Sequence, residues 1–144
     1  MEVDVSELKA LEKLAHKISS QLKGGEVIAL MGELGSGKTA FTKKLLKKAG
    51  VRKTVTSPTF VLMIPYTDNS RTFYHMDLYR LNSYKDIEAL GVPDLWGKKE
   101  NVFVIEWADK ILKDLPRNTF HIEFVIKNSK RKAKLKNVPK HIKI

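Results

Sequence analysis

The chain has 144 residues, 42% of them hydrophobic and 30% charged, which is the size of one ordinary domain built on a single core. It contains no cysteine, so disulfides, thiolate metal sites and a cysteine nucleophile are excluded. The formal charge of +11 is concentrated late: from Phe124 onward there are eight lysines or arginines and no acid, and taking those eight away leaves +3 for the rest. Basicity is therefore a property of the 126–144 segment, which reads either as a solvated basic tail or as a surface for phosphate or an acidic partner. No apolar run approaches the roughly 20 residues of a membrane span, and Met1-Glu2-Val3-Asp4 lacks the pattern of a secretory leader. The expectation is a cytoplasmic protein with no membrane contact.

Asp4 and Glu7 have capping-box spacing, and Leu8, Leu11, Ala15, Ile18 and Leu22 recur at helical intervals until Gly24-Gly25. Residues 26–31 are short, apolar and followed by glycine, as a buried parallel strand would be. A second helix is predicted over 37–49, with Phe41, Leu45, Leu46 and Ala49 on its core face and Gly50 at its end. Thr56-Ser57-Pro58-Thr59 is loop chemistry, and 60–66 and 72–76 read as a hairpin around Thr67-Asp68-Asn69-Ser70. A short helix over 84–90 is stopped by Gly91-Val92-Pro93. Residues 102–105 form another buried strand ending in Glu106-Trp107, Phe120 to Ile126 alternate as a half-buried strand, and 132–136 can pair with it. The alternation of helix and strand predicts one α/β domain over residues 1–144, with a mixed, mostly parallel sheet flanked by helices.

Gly32-Glu33-Leu34-Gly35-Ser36-Gly37-Lys38-Thr39 matches G-x-x-x-x-G-K-[ST] at every fixed position, between a predicted strand and a predicted helix. The chemistry needs this order. Glycines let backbone N–H groups turn inward around phosphate oxygens, and the positive end of the following helix adds to the attraction. Lys38 then bridges β- and γ-phosphates while the Thr39 hydroxyl ligates Mg²⁺.

Magnesium in such a site wants an acidic residue nearby, and two acids stand at strand ends. Glu106 follows an apolar run, as the acid beside a P-loop does; Asp77 follows Phe73-Tyr74-His75-Met76 in the same way, with a helix N-cap as its other reading. His75 reads more simply as a core histidine than as a general base, and Trp107 as apolar packing beside the metal site. The hydroxyls of residues 56–59 are placed either to reach phosphate or to make turn hydrogen bonds. There is no N-K-x-D stretch of the kind that selects guanine, which points to adenine and hence to ATP.

With Gly32 to Thr39, Thr56-Ser57-Pro58-Thr59-Phe60, His75-x-Asp77-Leu78-Tyr79-Arg80-Leu81 and Ile105-Glu106-Trp107 in this order, the chain resembles the bacterial TsaE family over nearly its whole length. The resemblance implies a P-loop ATPase needed to make N6-threonylcarbamoyladenosine next to the anticodon of tRNAs reading codons that begin with A. It implies a TsaB–TsaD complex as partner, with tRNA reached through that complex. By position it implies that Gly35, Ser36, Gly37, Lys38, Thr39 and Ala40 contact the phosphates, that Thr39 and Glu106 hold Mg²⁺, and that Asp77 acts in catalysis or in a switch. Arg131 occupies the place of a late family arginine near the nucleotide. The family threonine of the N-terminal helix is replaced by Ala10 before Leu11, which leaves Ser6 as the candidate for a base-proximal contact.

Two other classes fit parts of this pattern. A small-molecule P-loop kinase would share the phosphate loop but needs an acceptor site and an arginine-bearing lid, and no lid-like insertion is visible. A basic RNA-binding module with a regulatory nucleotide site would use the segment from Lys127 to Lys143. For the ATPase, hydrolysis by the isolated chain is expected to be slow, because no obvious arginine finger lies in cis, Arg80 and Arg131 being the exceptions to examine.

Overall fold

Strand β2 (Val27–Gly32) is the axis of the molecule, and its residues show why. Ile28 and Leu30 point to one face and Val27 and Ala29 to the other, and all four are buried, so the continuous apolar run is that of a strand covered on both sides. The computed structural model describes residues 1–68 and 70–144, so the Asn69 of the expected hairpin turn lies outside the described residues. Around β2 stand β5 (Asn101–Glu106) and β6 (Phe120–Lys127), both parallel to it, and β4 (Thr72–Asp77) parallel to β5. Antiparallel strands complete each edge: β3 (Met63–Thr67) on β4, and β7 (Lys130–Lys136) on β6 followed by β1 (Glu2–Asp4). The seven-stranded order is β1-β7-β6-β2-β5-β4-β3, the mixed α/β sheet with a parallel centre that the sequence predicts.

One face is covered by α1 (Leu8–Ser19) and α2 (Lys38–Lys48), whose Leu11, Ile18, Phe41 and Leu45 pack on Ile28, Leu30 and Phe120. The other face carries α3 (Lys85–Ala89), α4 (Val92–Leu95) and a 3₁₀ segment, Ala108–Asp114, whose Ile87, Val92 and Ile111 pack on Ala29, Phe103 and Ile105. No helix among the described residues is long and apolar enough to cross a membrane.

Several local expectations are corrected. Asp4 does not cap the first helix. It ends the unforeseen strand β1 and accepts the Ser6 N–H at 2.9 Å, while α1 starts at Leu8 with Glu7 at the N-cap position and no side-chain cap. That helix stops at Ser19, because Gln21 and Leu22 donate to Ile18 and Ser19 in tight i,i+3 turns, although Leu22 still packs into the core. The third strand begins at Met63 rather than Phe60: Val61 and Leu62 both donate back to the Pro58 carbonyl, and Leu62 takes a positive φ of 69°. The short helix does stop before Gly91, α3 ending at Ala89, but Gly91 in left-handed backbone then N-caps a second, unforeseen short helix, α4, with proline in its first turn.

The basic C-terminal segment is not a tail. β7 is inserted between β1 and β6, with Ala133 and Leu135 in the core. Two of its four lysines stand beside acids, Lys132 opposite Asp4 and Lys134 between Glu2 and Glu123. The Asp4 carboxyl is held below its usual range by hydrogen bonds from Ser6 and, secondarily, by Lys130 and Lys132. Beyond β7 the chain folds back: Ile142 is buried, Lys143 exchanges two 2.8 Å hydrogen bonds with the Gln21 side chain, and His141 Nε2 lies 2.8 Å from Glu26 Oε2. The segment that suggested a phosphate-binding appendage is thus a strand of the sheet and its closing turn, and most of its basic side chains remain exposed on that strand and turn.

Candidate functional site

The ends of β2, β4 and β5 meet the start of α2, and between them lies a cavity of about 400 Å³. The turn from β2 into α2 can be made only by particular residues. A Cβ on Gly32 would stand 2.6 Å from the Phe124 carbonyl oxygen, and Gly37 takes φ 119° as it hands the chain to the helix. Gly35, Gly37, Lys38, Thr39 and Ala40 line the cavity; Ser36 is buried behind them.

Lys38 is 4% exposed. Its ammonium donates to the Gly32 carbonyl and to the Glu33 carbonyl at 2.9 Å, lies 3.5 Å from Ser36 Oγ, and sits 4.0 Å from the centre of the Trp107 ring. Burial pushes this ammonium below the ordinary lysine value, against the pull of Glu106, Asp109, Asp77 and Glu33. A desolvated cation of this kind gains from an anionic partner more than a solvated one would. Trp107 reaches its place through left-handed backbone, φ 58° and ψ 37°, and its ring lies 4.9 Å from that of Tyr79. A non-glycine residue held there is strained, and the strain presents an aromatic face to the lysine.

Glu106 is 1% exposed at the end of β5. Its Oε1 accepts the Thr39 hydroxyl at 2.7 Å, and its Oε2 lies 2.5 Å from His75 Nε2. Asp77 is its register partner on β4. The Asp77 carboxylate is satisfied on both sides: Oδ2 accepts the Thr59 hydroxyl at 2.8 Å, and Oδ1 accepts the Tyr79 N–H at 2.9 Å. Ser57 Oγ lies 2.7 Å from Thr59 Oγ1. Asp77 therefore closes an Asx turn and holds the 57–59 loop against the cavity; no helix follows for it to cap.

Arg131 lines the far side of the cavity. Ser6 does not line it, but its Oγ accepts the Arg131 N–H at 2.9 Å and donates to the Arg131 carbonyl at 3.3 Å, so it fixes the backbone that carries the arginine. Arg80 is turned away, its guanidinium 4.4 Å from the ring of the exposed Phe60.

The donors suit a hard divalent cation. A threonine hydroxyl and a carboxylate 2.7 Å apart offer oxygen only, and among the described residues no group of three or more acids and histidines forms a complete cage. Magnesium is bound in this way, through one or two protein oxygens with phosphate and water supplying the others.

Sequence reasoning found the loop, both acids and the hydroxyl segment. It missed Tyr79, Asp109 and the contact between His75 and Glu106. The last had a signal: His75 and Asp77 are two apart on one strand, so they share a face, and the acid-ended strand beside them was already recognised.

The model of the family described as threonylcarbamoyl adenosine biosynthesis protein TsaE matches residues 5–134. A tRNA threonylcarbamoyladenosine biosynthesis protein TsaE from Bacillus subtilis is 37% identical over 127 residues, covering 88% of this chain and 75% of that one. Its Aquifex aeolicus counterpart is 35% identical over 125 residues, 85% and 86% of the two chains. Among solved structures, Bacillus subtilis YdiB superposes with a TM-score of 0.77 at 24% identity over 99% of this chain and 88% of that one, a likeness of fold. The match runs from just after β1 into β7 and so takes in every element that shapes the cavity: this chain belongs to the TsaE family of tRNA threonylcarbamoyladenosine biosynthesis proteins.

Proposed function

We propose that this chain is a magnesium-dependent ATPase that supports N6-threonylcarbamoylation of adenosine beside the anticodon, acting with a TsaB–TsaD complex through which it meets tRNA. The observation that carries the reading is the convergence of Lys38, Thr39 and Glu106 at the start of α2, with Thr39 and Glu106 hydrogen-bonded at 2.7 Å. The backbone N–H groups of residues 35–40 and the positive end of the eleven-residue α2 receive phosphate oxygens. Lys38 exchanges its carbonyl partners for the β- and γ-phosphates. The Thr39 hydroxyl and the Glu106 carboxylate would hold the metal ion, which would supply positive charge to offset that developing on the phosphates. Asp77 ties the 57–59 loop to this edge, so movement of Thr59 on nucleotide binding is transmitted to the hairpin of β3 and β4. Adenine is the base that the lack of an N-K-x-D stretch points to, and Arg131, on β7, lines the same cavity.

Hydrolysis by the chain alone is expected to be slow. Arg80 is engaged with Phe60 outside the cavity, which leaves Arg131 as the arginine that lines it, taken as a contact to the bound nucleotide, and an arginine finger is worth ~10³–10⁵ in rate where it operates. Phosphate release by the chain alone and with TsaB and TsaD, for wild type, Lys38→Ala and Glu106→Ala, tests the proposal. Turnover should rise with the partners and vanish in both variants. Turnover that survives either substitution in the presence of the partners refutes the site.

A further inference from the structure

His75 is a buried titratable group beside the site that the proposed chemistry leaves unused. It lies on β4 with no exposed surface, on the face that also bears Asp77. The parallel register sets Asp77 against Glu106 and His75 against Val104, which brings the imidazole diagonally alongside the glutamate. With Nε2 at 2.5 Å from Oε2 and the Thr39 hydroxyl at 2.7 Å from Oε1, the Glu106 carboxylate is gripped at both oxygens. At the other end of the ring, Nδ1 is buried with no hydrogen-bond partner among the described residues.

Those two facts favour one tautomer. An N–H orphaned in the core is rarer and more costly than an acceptor left bare, and Glu106 Oε2 needs a donor. The assignment that meets both puts the proton on Nε2, donated to the carboxylate. A residue that served only to fill space at this position would be better apolar, since the imidazole buries a polar nitrogen that nothing satisfies.

We infer that His75 is a positioning residue for the metal site: it fixes the rotation of the Glu106 carboxylate so that Oε1 stays with Thr39 at the cavity wall. The inference rests on the magnesium–nucleotide reading above. Partners of this outer kind set metal affinity by orienting the ligand, and their loss costs about 10–100-fold.

Glutamine and asparagine separate orientation from packing. The amide nitrogen of glutamine is as many bonds from Cα as histidine Nε2 and can replace the donor; that of asparagine corresponds to Nδ1 and falls short. Calorimetric titration of the full chain with ADP, with Mg²⁺ and with EDTA, gives the metal-dependent tightening for wild type, His75→Gln, His75→Asn and His75→Leu. Metal-free affinity should stay equal in all four. The tightening should fall about 10–100-fold in the asparagine and leucine variants and be largely retained by glutamine. Equal tightening in all four, or glutamine falling as far as leucine, overturns the inference while leaving the proposed function standing. Wild-type protein that binds ADP no better with Mg²⁺ overturns the metal reading and the inference with it. Nitrogen-15 NMR of the wild-type ring needs no variant: a protonated Nε2 and bare Nδ1 support the assignment, and a protonated Nδ1 overturns it.

Discussion

Replacing Thr39 by valine removes one hydroxyl from the site and almost no volume, and its cost can be worked from the contacts. Glu106 is 1% exposed and loses the donor to Oε1 that now stands at 2.7 Å. Leaving a buried acceptor unpaired costs roughly 1–3 kcal/mol, and more when it is charged. Thr39, however, is half-buried on the cavity wall, so water entering from the cavity can take over part of the hydrogen bond, which favours about 1–2 kcal/mol. In a domain of this length each kcal/mol moves the melting temperature by roughly 2–4 °C, which predicts a fall of about 2–8 °C. Thr39→Ser, which keeps the hydroxyl, should melt close to wild type and retain magnesium-dependent nucleotide binding. Scanning calorimetry of wild type, Thr39→Val, Glu106→Leu and the double variant supplies the pairwise coupling, expected at roughly 0.5–3 kcal/mol for groups in direct contact. A valine variant that melts within 1 °C of wild type, or additive losses in the cycle, would refute the claim that the hydroxyl and carboxylate form one unit.

Further outcomes follow from other parts of the molecule. Lys38→Met should abolish nucleotide binding yet melt no lower than wild type at neutral pH, because the wild-type ammonium is desolvated. The folded-state pKa of Lys38 is lowered from 10.5, so below it the charge is a cost to folding, relieved as pH rises through the window between the lowered value and 10.5. Any advantage of the variant should therefore narrow as melts are repeated toward pH 10, and a gap that widens would contradict this sign. Ile142→Ala, at a side chain 4% exposed in the core, should cost about 2–4 kcal/mol in urea unfolding; a change under 0.5 kcal/mol would mean that the closing segment does not pack as described. His121 is held below the ordinary histidine range by burial first and Lys136 second, so Lys136→Gln should raise its NMR-titrated pKa only in small part, and full recovery of the ordinary value would invert the order of causes.

The parts of the fold legible in the sequence were those governed by local chemistry. The glycine loop, the buried strands 27–32 and 101–106 and the face of α2 depend on residue type and spacing that few other structures satisfy. What escaped depended on distant partners. Strand β1 is three residues long and exists because Leu135 and Arg131 donate and accept across more than 120 positions of chain; no periodicity can be read from three residues. The segment 130–136 looked like a solvated run because its lysines are indeed mostly exposed, and the strands β1 and β6 that hold it in the sheet are brought alongside only by pairing. The same holds for the site. Lys38 and Thr39 were identified by motif, whereas the joining of His75 to Glu106 required the register between β4 and β5.

The central position of β2 has a consequence for synthesis of the chain. Its neighbours arrive long after it leaves the ribosome: Val27 pairs with Phe103, and Ile28 with Phe120. The carbonyl that crowds Gly32 belongs to Phe124, and the acid beside Thr39 is Glu106. A nascent polypeptide carrying the whole glycine loop and its helix therefore still lacks both flanking walls, and the cavity can take its final shape only after Phe124 has been synthesised.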